Sequence, residues 1–252
     1  IMHGSITDHK IGVHSNSKSE KGKFLGLFAI NNPNPTNLSK AKAYLKRYES
    51  FETKSIYLDS AWYFLSKSEN NFTSYIQYFY LKNDYKGLID FVMLNEINES
   101  NYVVSDLALA YSRMGEVFGK NNLDGKAQQY HRKAILLMSD VIDYKIKYGS
   151  FLFNNNKIND AEKQYLEALS LNPTIKEIHA SLGLISILKE NYVIAENYLK
   201  QAIALDPDYV LAYENLVFLY QKTNDSKQTK LYLRKILDID PYHKAQQIIE
   251  KF

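Results

Sequence analysis

The chain has 252 residues, with 31 Lys and Arg against 28 Asp and Glu, a net charge of +3 and no cysteine. That balance provides no basic stripe for a phosphate backbone, so nucleic acid is not an expected partner. The missing thiols exclude disulfides, thiolate zinc sites and cysteine nucleophiles. The longest apolar run near the N-terminus, FLGLFAI at 24–30, is far short of the roughly 20 residues that cross a bilayer, so a soluble protein without membrane insertion is expected. A chain opening on Ile1 instead of methionine is what a processed product or a fragment would show.

Residues 1–37 are polar and end in NNPNPTN, which cannot be regular helix. They are expected to form an extended arm and linker. From Leu38 helix signals resume, with Asn37 or Ser39 as N-cap for KAKAYLKRYESF. Further helices are predicted over 54–67, 72–82 and 84–97. Residues 68–101 pass for a degenerate helix pair in which Gly87 is the small residue and Phe91 and Leu94 the large ones. Eleven aromatics stand between Tyr57 and Phe91, including the only tryptophan, Trp62. They read either as a binding face for a peptide or sugar or, preferably, as the core of irregular repeats. Tyr75, Tyr78 and Phe79 keep the helical spacing of a buried stripe.

From residue 108 a strict period governs the chain. Pro173, Pro207 and Pro241 stand 34 residues apart, as do Gly115, Gly149 and Gly183. Ala127, Ala161 and Ala195 keep the same step, and so do Ala134, Ala168 and Ala202. One period shared by unlike residues marks a repeated structural unit. Four units follow, at 108–141, 142–175, 176–209 and 210–243, with the 68–101 segment six residues out of phase (108 − 68 = 40 against 34). The last unit departs from the pattern with Val217, Thr229 and Ile236, and the first with His131 and Ser139, as outer repeats do. YHKAQQIIEKF after Pro241 is expected to supply a capping helix with Ile248, Ile249 and Phe252 on its apolar side.

The segments NDAEKQYLEALSLNP (159–173), YVIAENYLKQAIALDP (192–207) and NDSKQTKLYLRKILDIDP (224–241) resemble the second helix of a tetratricopeptide repeat. Tyr148 with Gly149, Leu182 with Gly183 and Leu216 with Val217 fall where that family carries a large-then-small pair in its first helix. The resemblance implies an all-α, right-handed superhelical solenoid of antiparallel helix pairs. Its domains would be the arm (1–37), irregular helical repeats (38–107), and four repeats with a capping helix (108–252).

The family's groove, lined by first helices, implies a noncatalytic scaffold for a protein or peptide partner, with self-association compatible. At its groove positions stand Ile146, Ser150, Phe153, Ala180, Leu184, Ile187, Leu211, Glu214 and Phe218, a largely apolar set. The lysines, arginine and asparagines with which some members grip a C-terminal carboxylate are missing: Ser112, Glu116, Ile146, Ser150, Ala180, Leu184, Glu214 and Phe218 occupy those places. No GxGxxG, GxxxxGK, GxSxG or HExxH occurs, so neither a nucleotide site nor catalysis is expected, and no metal site is assigned. IMHGSITDHKIG at 1–12 resembles the stretch that precedes tetratricopeptide repeats in some multihaem c-type cytochromes. That likeness implies an alternative: the C-terminal module of an electron-transfer protein in the periplasm, with His3 and His9 as axial ligands and Asp8 orienting an imidazole. The chain has no CxxCH, so the haem c would be held by another segment.

Overall fold

The computed structural model describes residues 36–50, 55–65, 72–95 and 103–250, which fall into two compact units divided between Met138 and Ser139. Every regular element among the described residues is a helix.

The first unit holds α1 (Asn37–Ser50), α2 (Ser55–Leu65), α3 (Phe72–Leu81), α4 (Tyr85–Leu94), α5 (Val104–Lys120) and α6 (Asp124–Leu137). The Thr36 hydroxyl caps α1 by accepting from Ser39 N–H at 3.2 Å. The cap is therefore neither Asn37 nor Ser39: it is the residue before the first helical one, whose side-chain oxygen reaches the N–H three positions on. Ala41 of α1 and Ala61 of α2 are fully buried and let the two helices meet, with Tyr44, Leu45, Leu58 and Phe64 packed around them. Of the eleven aromatics Tyr57, Phe64, Phe72 and Tyr78 are buried in the core, Tyr63, Tyr75, Phe79, Tyr80, Tyr85 and Phe91 are half-buried, and Trp62 is exposed. Gly87 does not receive a facing helix. A methyl there would stand 2.9 Å from the Asp84 carboxylate, which caps α4 by accepting from Gly87 N–H at 2.9 Å. Leu88 and Val92 fill the inner face of α4, while Leu94 is exposed.

One turn recurs throughout. Asn83, Asn122, Asn156, Glu190 and Asn224 have φ between 56° and 61°, each just past the end of a first helix. The next residue then donates its N–H to the carbonyl five positions back: Asp84 to Phe79 at 3.0 Å, Leu123 to Phe118 at 2.9 Å, Asn191 to Ser186 at 2.8 Å. This closure satisfies orphan carbonyls and needs a left-handed residue, which asparagine tolerates. Asn83 precedes Asn122 by 39 residues, so the slip against the 34-residue step is five (39 − 34) when measured on the turns. Residues 96–102, between α4 and α5, are outside the described residues, as are residues 1–35 of the arm and Phe252.

The second unit stacks three helix pairs: α7 (Ile142–Asn154) with α8 (Ile158–Leu171), α9 (Lys176–Leu188) with α10 (Tyr192–Leu205), and α11 (Val210–Lys222) with α12 (Ser226–Ile239). A short α13 (Ala245–Ile249) closes the end, Ala245 buried and Ile248 and Ile249 packed against Tyr213, Val217, Leu233 and Ile236. Within the first two pairs a glycine meets a large residue. A methyl on Gly149 would lie 3.0 Å from the Tyr165 ring, and one on Gly183 would lie 2.7 Å from Leu199. Between pairs, the residue before each proline bends the chain. Asn172, Asp206 and Asp240 accept from the N–H two residues on, at 2.9, 3.0 and 3.1 Å. The next first helix then returns a bond to the proline carbonyl: His179 Nε2 lies 2.8 Å from Pro173 O, and Tyr213 OH donates to Pro207 O at 2.9 Å.

Two predictions arise from these turns. Glu190→Asn places at φ 61° a side chain better suited to the left-handed region, and thermal denaturation should show a gain of roughly 0.5–1 kcal/mol. Asp206 also pairs with Lys176, and that bond, followed by the one from Asp208 N–H, holds its carboxyl below the ordinary range. A depressed folded-state value gives stability that is present above the unfolded pKa, about 3.9, and is lost as pH falls through the folded one. Asp206→Asn keeps the turn, as Asn172 does, and removes the titration. Its melting temperature should therefore fall less steeply than the wild type's below about pH 4.

Candidate functional site

The first helices of the second unit each bury two faces and leave a third to solvent. On α9, Ile178, Leu182 and Ile185 are buried, whereas Glu177 and Leu188 are exposed and Ser181 and Leu184 half-buried. The open face repeats along the stack in rows: Asp143, Glu177 and Leu211; Ser150, Leu184 and Phe218; Asn154, Leu188 and Lys222. Each row steps by 34 residues, so each presents one side chain per helix pair.

The nine groove residues read from sequence divide among three environments. Ile146, Phe153, Leu184 and Phe218 are half-buried, and Leu211 is 46% exposed. Ser150 is exposed, its hydroxyl 3.0 Å from Tyr165 OH. Ala180 and Ile187, at 1% and 2% exposure, lie instead in the core with Ala195, Leu199, Ala212, Leu216 and Leu219. They are covered because α11 packs against α9 at that point, with Asn215 Nδ2 reaching Ala180 O at 3.5 Å. Glu214 turns to the C-terminal segment, its Oε1 2.8 Å from Lys244 Nζ and 3.4 Å from His243 Nε2. Sequence reasoning missed Leu188, which is 48% exposed, and the flanking Glu177 and Lys222. The 34-step rows through Asp143 and Asn154 were the signal that held them.

The surface is therefore an apolar strip centred on Leu184 and Phe218, with Leu188 and Leu211 beside it. Lys222 lies over the Phe218 ring at 5.5 Å, so one rim of the strip is cationic. Ser150, the polar member of the central row, has its hydroxyl engaged by Tyr165. Among the described residues no group of three His, Asp or Glu side chains is placed to hold a metal ion, and no helix is long and apolar enough to cross a membrane. His3 and His9 lie outside the described residues.

Residues 142–175, 177–209 and 210–243 match the tetratricopeptide repeat family. These three segments are tetratricopeptide repeats. Over 74 residues the chain is 35% identical to protein O-mannosyl-transferase F38B6.6 of Caenorhabditis elegans, which covers 29% of this chain and 11% of that protein. It thus spans about a tenth of that relative's length. Its fold is similar to that of YrrB, described as a TPR protein with an unusual peptide-binding site, with a TM-score of 0.60 at 18% identity over 84% of this chain and 100% of that one. It is also similar to MamA from Desulfovibrio magneticus RS-1, with a TM-score of 0.59 at 13% identity over 70% of this chain and 99% of that one. At these identities the likeness is one of fold.

The division between core and strip is open to measurement by chemical denaturation. Ile187→Ala should cost about 2–5 kcal/mol, as buried large-to-small changes do. Leu184→Ala, from a half-buried position, should cost clearly less.

Proposed function

We propose that the tetratricopeptide repeats over 142–243 act as a noncatalytic scaffold that holds a partner protein or peptide on the strip formed by Ser150, Leu184 and Phe218, with Leu188 and Leu211 at its edges. The observation that carries this reading is the presence of apolar side chains at solvent-open positions of the first helices. Leu188 and Leu211 leave nearly half of their surface to solvent, while Ala180 and Ile187 lie in the core. Contiguous exposed apolar surface on a folded domain is characteristic of an interaction site. The peptide-binding site named for YrrB supports the same reading from a protein of similar fold. The partner chemistry is apolar rather than a carboxylate terminus, since Leu184 and Phe218 stand where a clamp would need cations or amides. Neither catalysis nor haem ligation by His3 and His9 is part of the proposal.

The test is capture of partners from native extract on immobilised full-length chain, comparing wild type with Leu184→Asp/Phe218→Asp. The double variant should lose the partners that the wild type retains while keeping its helical circular dichroism and its melting temperature within a few degrees. Retention of every partner, with the fold intact, would overturn the assignment. Collapse of helicity would show that the two side chains belong to the core.

A further inference from the structure

The helices α2, α3 and α4 carry little charge. SIYLDSAWYFL of α2 has Asp59 alone, and FTSYIQYFYL of α3 has no charged residue. A helix that is apolar on all sides requires cover on all sides. Here the cover is incomplete: Trp62 is 43% exposed, Met93 58% and Leu94 85%.

Four rings form a closed circuit at this place. Trp62 of α2 lies 5.8 Å from Tyr75 and 6.2 Å from Phe79, both of α3, and Phe91 of α4 lies 5.0 Å from Tyr75 and 5.8 Å from Phe79. Tyr75, Phe79 and Phe91 are half-buried, so the circuit is a plate with one open side. Burial alone pushes the Tyr75 hydroxyl's pKa up, consistent with an apolar setting. Trp62 and Tyr75 lie towards the end of the helices at which α1 begins, and Phe79 towards the other end of α3. Lys40, in the first turn of α1, stands 5.3 Å from the Phe64 ring near the end of α2, and Phe72, the first residue of α3, stands 5.6 Å from Phe91 near the end of α4.

The chain therefore enters, at Thr36, at the end of α2 that carries Trp62. Six residues earlier in sequence ends FLGLFAI, 24–30, which lies outside the described residues. Six residues reach roughly 20 Å when extended, about two helix spacings of 8–10 Å. The intervening NNPNPT disfavours helix and favours such extension.

We propose that residues 24–30 of the same chain dock on the aromatic plate formed by Trp62, Tyr75, Phe79 and Phe91. Phe24 and Phe28 offer ring-to-ring contacts of the kind the plate already makes within itself, and Leu25, Leu27 and Ile30 supply aliphatic bulk. Neither surface carries a charge to be desolvated. A short tether gives the segment an effective concentration in the millimolar range, which favours it over a second copy or a foreign peptide at ordinary protein concentrations.

Trp62 is the only tryptophan in the chain, so its fluorescence reads the plate directly in the full-length protein. Phe24→Asp/Phe28→Asp should shift the emission to the red and raise acrylamide quenching roughly twofold or more as the indole opens to solvent. Helical circular dichroism should not change, and wild-type quenching should be independent of protein concentration over a hundredfold range. If the double variant loses helicity, Phe28→Ser makes the same comparison with less perturbation. Equal quenching in wild type and a folded variant overturns the proposal. Wild-type quenching that rises on dilution does so too, since it assigns the plate to a second copy.

Discussion

The second unit depends on one contact: a first helix pressed against its own second helix at a residue with little or no side chain. A methyl would meet the Tyr165 ring at 3.0 Å on Gly149 and Leu199 at 2.7 Å on Gly183, and in the last pair Val217 lies in one cluster with Leu233. Glycine inside a helix costs about 1 kcal/mol against alanine, while burying a leucine side chain contributes roughly 1.5–3 kcal/mol, so the close approach is the favourable choice. A stacked array has no common core to correct a poorly seated pair. Each repeat must therefore carry its own contact, its own left-handed turn residue and its own Asx turn before the proline.

That requirement explains which parts of the chain were legible. Wherever the same packing is repeated, the same residues return at 34 positions, and the boundaries of the helix pairs from 142 to 243 could be read from glycine, alanine and proline alone. The turn asparagines keep the step too, at 122, 156 and 224, but Glu190 breaks the series, and the pattern becomes visible only from the shared φ. In α1–α4 bulk replaces the markers, which appear in α5 and α6 as Gly115, Ala127 and Ala134. Ala41 and Ala61 make one close contact, yet aromatic rings fill most of the rest, and Gly87 serves the Asp84 cap rather than a facing helix. A glycine has two physical uses there, and the sequence does not distinguish them.

The candidate site was legible as a set of positions, not as a surface. Periodicity places Ala180, Leu184 and Ile187 on related faces of α9, but whether a side chain meets solvent or the next first helix depends on how closely α11 approaches. Ala180 permits that approach, and Ile187 fills the space it creates. Beyond the last of the three pairs, Glu214 is held by Lys244 and His243 of the segment after α12. Stacking thus takes one row of the groove, the C-terminal segment bounds it, and the row through Ser150, Leu184 and Phe218 is left open.

The spacing of that row constrains what can lie along it. Neighbouring first helices stand roughly 8–10 Å apart, so each contact with a ligand recurs at that interval. An extended peptide in the polyproline II conformation returns a side chain to the same face every three residues, about 9 Å, and a helix does so after seven, about 10.5 Å. A ligand crossing the first helices would therefore meet Leu184 and Phe218 with apolar side chains three apart if extended, or seven apart if helical. Ser150 continues the row with a hydroxyl already engaged by Tyr165, so the apolar demand is concentrated on two repeats. An extended ligand needs only a four-residue span for those two contacts and must satisfy its backbone groups elsewhere. A helical one satisfies its own backbone and needs two turns, which makes a short amphipathic helix the better match to a strip that offers few polar groups.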